Sequence, residues 1–363
     1  MSARSRKGGS QEDDDAHDDD SDIPRDEWLR GEGPDEDVVV CTRVRLARNL
    51  EGHEFSIMQT DEQAAALTAE VTEALGPLAR QEEWKWFDIR ALSALERRCL
   101  VERHLISREL EEADRARGVM FDPAGRSSVM INEEDHLRIQ VFRSGLRMQE
   151  AYQSADSIDD AISNRVGYAW SNQFGYLTSC PTNTGTGMRI SVLMHLPALV
   201  TAKEIEKATN AIHEMNMTVR GLFGEGSQDV GDLFQISNQK TLGSSEDEIL
   251  DNLSSAVRSL ITFERRQRQE FMSNRVFVED RAWRAVGILE RARSLSSEET
   301  MNLLSRIRLG AVLSLVDGPT FDQMNRIFLL TQPGHLQSRA GQQLDPRQRD
   351  EFRARLVRDI LGT

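Results

Sequence analysis

Between Val38 and about residue 262 the spacing of apolar positions keeps changing period. Short alternating or continuous apolar runs at Val38–Leu46, Ser127–Ile131, Leu137–Phe142, Met188–Leu196, Thr218–Phe223 and Leu233–Ile236 predict strands. Between them, Asp61–Leu75, Leu95–Glu112 and Ala202–Met215 carry the three-to-four-residue spacing of helices. After about Phe263 the strand-like runs stop, and helix-forming segments follow with breaks at Ser294–Ser297, Asp317-Gly318-Pro319 and Gln332-Pro333-Gly334. Residues 1–37 are almost free of apolar side chains and read as a disordered acidic tail, so order is expected from Val38. The pattern predicts an α+β domain over residues 38–262 and an all-helical domain over residues 263–363, with no internal repeat.

Charge changes this picture in one respect. The net charge of −15 argues against simple nucleic-acid binding, but residues 1–37 hold 14 Asp/Glu against five Lys/Arg and account for −9 of it. Residues 263–363 stand at +4, with 17 Arg and 13 Asp/Glu. Only five of the 45 basic residues are lysine. Such a skew often follows from GC-rich coding, although arginine is also the better clamp for phosphate and carboxylate. Cys41, Cys99 and Cys180 lie far apart, without the paired spacing of a zinc or redox site. No run approaches the roughly 18 apolar residues of a spanning helix, and the N-terminus leads into acid rather than an apolar signal core, so a cytoplasmic location is expected.

The familiar nucleotide and zinc motifs are absent: no Gly-x-x-x-x-Gly-Lys-Ser/Thr, no Gly-x-Gly-x-x-Gly after a strand, no protein-kinase catalytic loop and no His-Glu-x-x-His. Four other clusters carry chemistry. Arg43 and Arg45 sit two apart on a strand-like run and share a face, which suits a polyphosphate as well as it suits a solvated edge. Asn132-Glu133-Glu134-Asp135-His136 is an acidic turn entering a strand that holds Arg138. Cys180-Pro181-Thr182-Asn183-Thr184-Gly185-Thr186-Gly187 is a Gly/Thr-rich loop followed by Arg189, able to present backbone N–H groups to an anion and to expose a thiol among arginines. Arg220-Gly221-Leu222-Phe223-Gly224-Glu225-Gly226 places one carboxylate between glycines, as an ordinary turn or as a loop that closes over a substrate.

Taken in this order, the four clusters resemble the catalytic domain of the ATP:guanido phosphotransferases, the phosphagen kinases, over about residues 38–262. The second and third motifs are long enough to be specific. The helical extension, Gly175-Tyr-Leu-Thr-Ser-Cys180, Thr331-Gln-Pro-Gly-His335 and Arg349-Asp350-Glu351-Phe352-Arg353-Ala354 are similar to those of the bacterial protein-arginine kinase branch. The resemblance implies a phosphagen-kinase-like antiparallel sheet flanked by helices, followed by a helical domain for dimerisation and phosphoarginine binding.

It also implies roles. Arg43, Arg45, Arg138, Arg189 and Arg220 would hold the phosphates of ATP, used with Mg²⁺ and without a dedicated protein metal site. Glu134 would be the catalytic base, Glu225 the second carboxylate gripping the acceptor guanidinium, and Cys180 the reactive thiol beside it. His136 is expected to be structural. Arg349 and Arg353 would grip the phosphate of a phosphoarginine while Asp350 accepts from its guanidinium. Creatine and arginine kinases carry a helical domain of roughly a hundred residues before the Arg-x-Arg strand; here an acidic segment precedes it, which implies an acceptor side open to proteins. Implied partners are proteins with exposed arginine, a second copy in a homodimer, an activating adaptor and a Clp chaperone–protease in the stress response, with no nucleic acid and no membrane. A kinase of a free guanidino metabolite and a non-catalytic phosphoarginine reader are the competing readings.

Overall fold

The computed structural model describes residues 26–112, 115–221 and 230–363. Along the chain come β1 (Val39–Arg48), α1 (Asp61–Gln81), β2 (Lys85–Asp88), α2 (Ala94–Glu102), α3 (Arg108–Glu111), β3 (Gly118–Phe121), β4 (Ser127–Ile131), β5 (Leu137–Ser144) and α4 (Met148–Ser163). The short strands β6 (Trp170–Ser171) and β7 (Gly175–Tyr176) precede β8 (Met188–His195), α5 (Pro197–Thr201), α6 (Ile205–Glu214), β9 (Met217–Gly221) and β10 (Leu233–Asn238). Helices alone follow: α7 (Glu246–Phe271), α8 (Arg275–Arg291), α9 (Ser297–Val312), α10 (Phe321–Leu330), α11 (Pro333–Ala340) and α12 (Pro346–Leu361).

Eight strands form one sheet in the order β2-β3-β4-β5-β1-β8-β10-β9, antiparallel throughout. Alternation divides its side chains between two faces. One face presents Val44, Leu46, Ile139, Val141, Ile190 and Val192, all buried against Leu67 and Val71 of α1, Ala151 and Ala155 of α4, and Leu253 and Val257 of α7. Each such side chain contributes about 1.5–3 kcal/mol on leaving water. The opposite face is divided. Cys41, Phe142, Leu193 and Leu233 are capped by α8, α9, α10 and α12 through Leu289, Leu304, Phe328 and Val357, and the arginines occupy the rest.

The α+β domain and the helical end are as expected. Four local expectations need correction. Packing is already present ahead of Val38, within the described residues: Trp28 and Leu29 are buried, with the Trp28 ring 5.6 Å from Phe328 and edge-on to it. Asp26 takes Arg103 in a two-pronged ion pair at 2.9 and 2.6 Å, and Asp35 and Asp37 pair with Arg265. An average over a 37-residue acidic segment conceals a two-residue apolar anchor. The expected helix Leu95–Glu112 breaks into α2 and α3, because His104 adopts φ +61° and Ser107 caps a new helix through Leu110 N–H. Strands β2 and β3 and helix α4 were not anticipated. Four-residue strands lie below the length at which alternation is legible, and α4 buries mainly alanines and isoleucines. Finally, the change of character expected near Phe263 falls inside α7, which runs unbroken past it.

Replacing Trp28 with alanine should cost about 3–5 kcal/mol, the usual range for a buried large aromatic. A chemical-denaturation midpoint indistinguishable from the parent would show that residues 26–37 are not part of the folded unit.

Candidate active site

The register of the sheet settles where the arginines go. Arg45 pairs with Arg189 on β8 and with Gln140 on β5; Arg138 stands opposite Ala47, and Arg220 opposite Gln235. Period-two alternation therefore puts Arg43, Arg45, Arg138, Arg189 and Arg220 on one face of four strands. Arg43 donates to Ser191 Oγ and Gln235 Oε1, both at 3.4 Å, and Arg189 donates to Ser237 Oγ at 3.1 Å. Among the described residues no carboxylate forms an ion pair with Arg43 or Arg45. Burial, together with the charges of Arg43, Arg138 and Arg189, holds the Arg45 guanidinium well below its ordinary pKa. Burial likewise brings Arg43 down to about 10. Like charges collected in one place are a standing demand for an anion of several charges.

The acidic turn supplies carboxylates at the edge of this field. Glu133, fully buried, takes Arg138 Nη1 at 2.7 Å and the Ser107 hydroxyl at 2.5 Å. Glu134 meets the other nitrogen of Arg138 at 3.1 Å, and its side chain remains 41% exposed. One carboxylate is thus spent on orienting Arg138, while its neighbour is open to a second partner. Asp135, also buried, accepts from Asn49 Nδ2 at 2.8 Å and from the backbone N–H of Ser179 at 2.7 Å, tying the acidic turn to the loop that carries Cys180. His136 is structural as expected: Nδ1 accepts from Leu50 N–H at 3.0 Å, Nε2 lies 2.8 Å from the Glu54 carbonyl, and burial lowers its pKa.

Cys180 is half-buried, with Sγ 3.0 Å from the Thr182 hydroxyl. Its loop is held from behind by Thr241, whose hydroxyl donates to the carbonyls of Thr182 and Thr184. Gly185 stands at φ +115°, and a Cβ there would lie 2.2 Å from the Thr241 carbonyl, so this crossing requires glycine. Of the fourth motif, Arg220 and Gly221 end β9, whereas Glu225 lies outside the described residues.

A cleft of about 580 Å³ opens from the arginine face. Arg43, His104, Phe142, Ser191 and Gln235 line it from the sheet side, and Phe328 and Pro333 line it from the helical end. Its aromatic walls beside a cationic floor suit a nucleotide. Sequence reasoning missed His104, Ser191 and Gln235; the period-two spacing of Ser191 from Arg189 was the available signal, and His104 gave none. Burial, with Arg43 and Arg108 nearby, lowers the His104 pKa to about 3 and keeps the ring neutral. Among the described residues no group of three or more His, Cys, Asp or Glu could hold a metal ion.

The C-terminal trio sits apart, on α12. Arg353 is buried and donates to the carbonyls of Thr331 at 3.1 Å and Leu295 at 2.7 Å, and to Asp350 at 2.5 Å; burial lowers its pKa. Arg349 reaches the Leu344 carbonyl at 3.4 Å. The structure therefore brings Arg353 and Asp350 together as a joint between α12 and two turns, with Arg349 one residue before the pair. Nearby, Glu102 of α2 accepts from the N–H groups of Gly334 and His335 and from His335 Nδ1, fastening α11 to the catalytic part.

Known proteins agree with this geometry. Residues 66–267 match the family pattern of the ATP:guanido phosphotransferase C-terminal catalytic domain, and residues 275–363 match the protein-arginine kinase McsB C-terminal domain. The lombricine kinase structure superposes with a TM-score of 0.58 at 24% identity, over 65% of this chain and 68% of that one. The duplicated taurocyamine kinase of Schistosoma mansoni gives 0.57 at 26% identity, over 67% and 36%. The chain belongs to the ATP:guanido phosphotransferase family. Its relatives along nearly the whole length are protein-arginine kinases: that of Brevibacillus brevis is 45% identical over 93% of this chain and 96% of its own, and that of Bacillus subtilis 42% over 92% and 93%.

The neutral His104 gives a pH signature. Its pKa is about 6.5 unfolded and about 3 folded, so its contribution to stability is complete above pH 6.5 and is lost as the pH falls towards 3. His104→Asn, which tolerates the positive φ, should lose less stability than the parent between pH 6.5 and 4 in denaturant titrations. Parallel curves would refute the assignment.

Proposed function

We propose that this chain transfers the γ-phosphoryl group of ATP to arginine side chains of proteins. The observation that carries this reading is the field of five arginines on one sheet face, edged by Glu133 and Glu134 and flanked by the Cys180 loop. Phosphoryl transfer needs positioning and charge neutralisation more than covalent chemistry. Arg43, Arg45, Arg138, Arg189 and Arg220 hold the phosphates, and the cleft beside them takes the base. Mg²⁺, when bound, adds charge neutralisation at the phosphates, and the chemistry of the described residues fits an ion carried in with the nucleotide.

The acceptor is the harder half, because a guanidinium with a pKa above about 12 is protonated and a poor nucleophile. Glu134, the more exposed of the two neighbouring carboxylates, orients it and takes its proton as the N–P bond forms and the bond from phosphorus to the ADP oxygen breaks. Glu133 keeps Arg138 in line with the phosphates. Glu225 serves as the second carboxylate on the acceptor guanidinium. The Cys180 sulfur, steadied by the Thr182 hydroxyl, lies against the same group.

Around this reaction we place a homodimer formed through α8, which exposes Val276, Phe277, Trp283 and Ile288, and a phosphoarginine site at Arg349, Asp350 and Arg353. An activating adaptor, a Clp chaperone–protease and a cytoplasmic stress-response setting follow from the resemblance alone. No helix among the described residues is long and apolar enough to cross a membrane.

Glu134→Ala should abolish phosphoarginine formation on a protein acceptor while leaving the unfolding transition unchanged, since the side chain is largely solvent-facing. Near-normal activity, measured as acid-labile phosphate, would remove Glu134 from the role of base. Comparable turnover on free arginine would instead favour the metabolite kinase. Asp350→Ala should weaken binding of a phosphoarginine peptide by about tenfold, the scale of one charge-assisted hydrogen bond; unchanged binding by calorimetry would place the pocket elsewhere.

A further inference from the structure

A second groove, of about 420 Å³, lies on the outer side of the Cys180 loop, between the β6–β7 hairpin and the segment leading into α7. Its rim carries three large apolar side chains exposed in a way that folding alone does not reward: Trp170 at 56%, Phe174 at 44% and Leu242 at 49%. Trp170 is not loose. Its ring stands perpendicular on Tyr176 at 4.8 Å, and Tyr176 in turn lies over the Arg48 guanidinium at 3.6 Å. Arg48 is fixed by a buried two-pronged ion pair with Asp159 at 2.7 and 3.0 Å. An exposed indole is therefore supported from beneath by a buried charged pair.

The opposite wall is acidic. Glu246, at the start of α7, is half-buried and lines the groove together with Leu242. On α4 behind it, burial and the neighbouring charges of Asp160, Asp159 and Glu246 push the Asp156 carboxyl above its ordinary range against the opposing charge of Arg48. Glu248 is already engaged by the Ser245 N–H and adds little. Aromatic faces opposite the Glu246 carboxylate are complementary to an arginine or lysine side chain.

The groove also shares a wall with the reacting site. The Tyr176 N–H donates to the Gly185 carbonyl at 2.8 Å, and Thr241, beside Leu242, donates to Thr182, whose own hydroxyl touches Cys180 Sγ. A single extended chain can thus present one side chain to the Cys180 loop and another to the groove. We propose that the groove docks a second, basic side chain of the acceptor protein, seated on Trp170 and Phe174 with its charge towards Glu246. The proposal rests on the reading that acceptors are proteins, and it adds a preference for acceptor arginines that have a basic neighbour.

The test uses full-length chain and two synthetic peptides with one acceptor arginine each, flanked by lysines in one and by glutamines in the other. With the lysine peptide, the double variant Trp170→Ala/Phe174→Ala and the single variant Glu246→Lys should each raise the acceptor KM about five- to tenfold. The ATP KM and kcat should stay at parental values, and the glutamine peptide should show no such rise. Equal KM values for parent and variants on the lysine peptide would overturn the groove, as would an equal rise on both peptides. A change in oligomeric state that accounts for the kinetic effect would do so too, by assigning the face to a second copy. A parent protein that phosphorylates no peptide or protein arginine fails at the underlying reading instead, so the two failures are distinguishable.

Discussion

The site depends on the register of β1 between β5 and β8. Arg45 opposite Arg189, with Arg43 and Arg138 on neighbouring positions of the same face, is a cluster of like charges that no local preference would assemble. It exists because the other face of the same strands buries Val44, Leu46, Ile139, Val141, Ile190 and Val192, and a slip of one residue would exchange the two sets. Hydrophobic burial on one side therefore sustains electrostatic repulsion on the other. Among the described residues the guanidinium groups of Arg43 and Arg45 have no carboxylate in ion-pair contact, the condition under which an anion of several charges would be favoured.

The second constraint is how carboxylates are admitted to such a field. Three consecutive acids follow Asn132, which itself stands at φ +57°. Glu133 turns inward to Arg138 and Ser107, Asp135 turns inward to Asn49 and Ser179, and Glu134 is left at the surface between them. A turn with one open acid flanked by two committed ones holds an exposed carboxylate in a fixed place, with its ion pairs directed to Arg138 and not to Arg43 or Arg45. Asp135 links this turn to the Cys180 loop, so Glu134 and Cys180 belong to one hydrogen-bonded unit.

Much of this was legible in the sequence, for physical reasons that differ from element to element. The strands bearing Arg43, Arg138 and Arg189 announced themselves because each buries one face, and helix starts such as Ser245 with Glu248 or Thr320 with Gln323 are written locally as reciprocal caps. Trp28 was not legible as an anchor because its partner Phe328 is three hundred residues away and its neighbours are acidic. His104 gave no signal either, since a cleft wall is made by tertiary packing. The trio on α12 was recognisable as a motif, yet its geometry was not: Arg353 is spent on the Thr331 and Leu295 carbonyls, contacts that only the assembled helices create.

Those same contacts bear on how the two parts of the chain act together. Arg353 holds the turns at residues 295 and 331, and Ser297 and Gln332, close to each of them in sequence, line the cleft beside the arginines. Glu102 adds a second tie, from the end of α2 to the start of α11. The helical part is therefore one wall of the cleft beside the arginines and cannot be treated as an appended module. Whatever shifts α10 or α11 changes the space beside Phe328 and Pro333, and what fills that space bears on the packing of the helices in return, as linkage requires of two sites that share a wall.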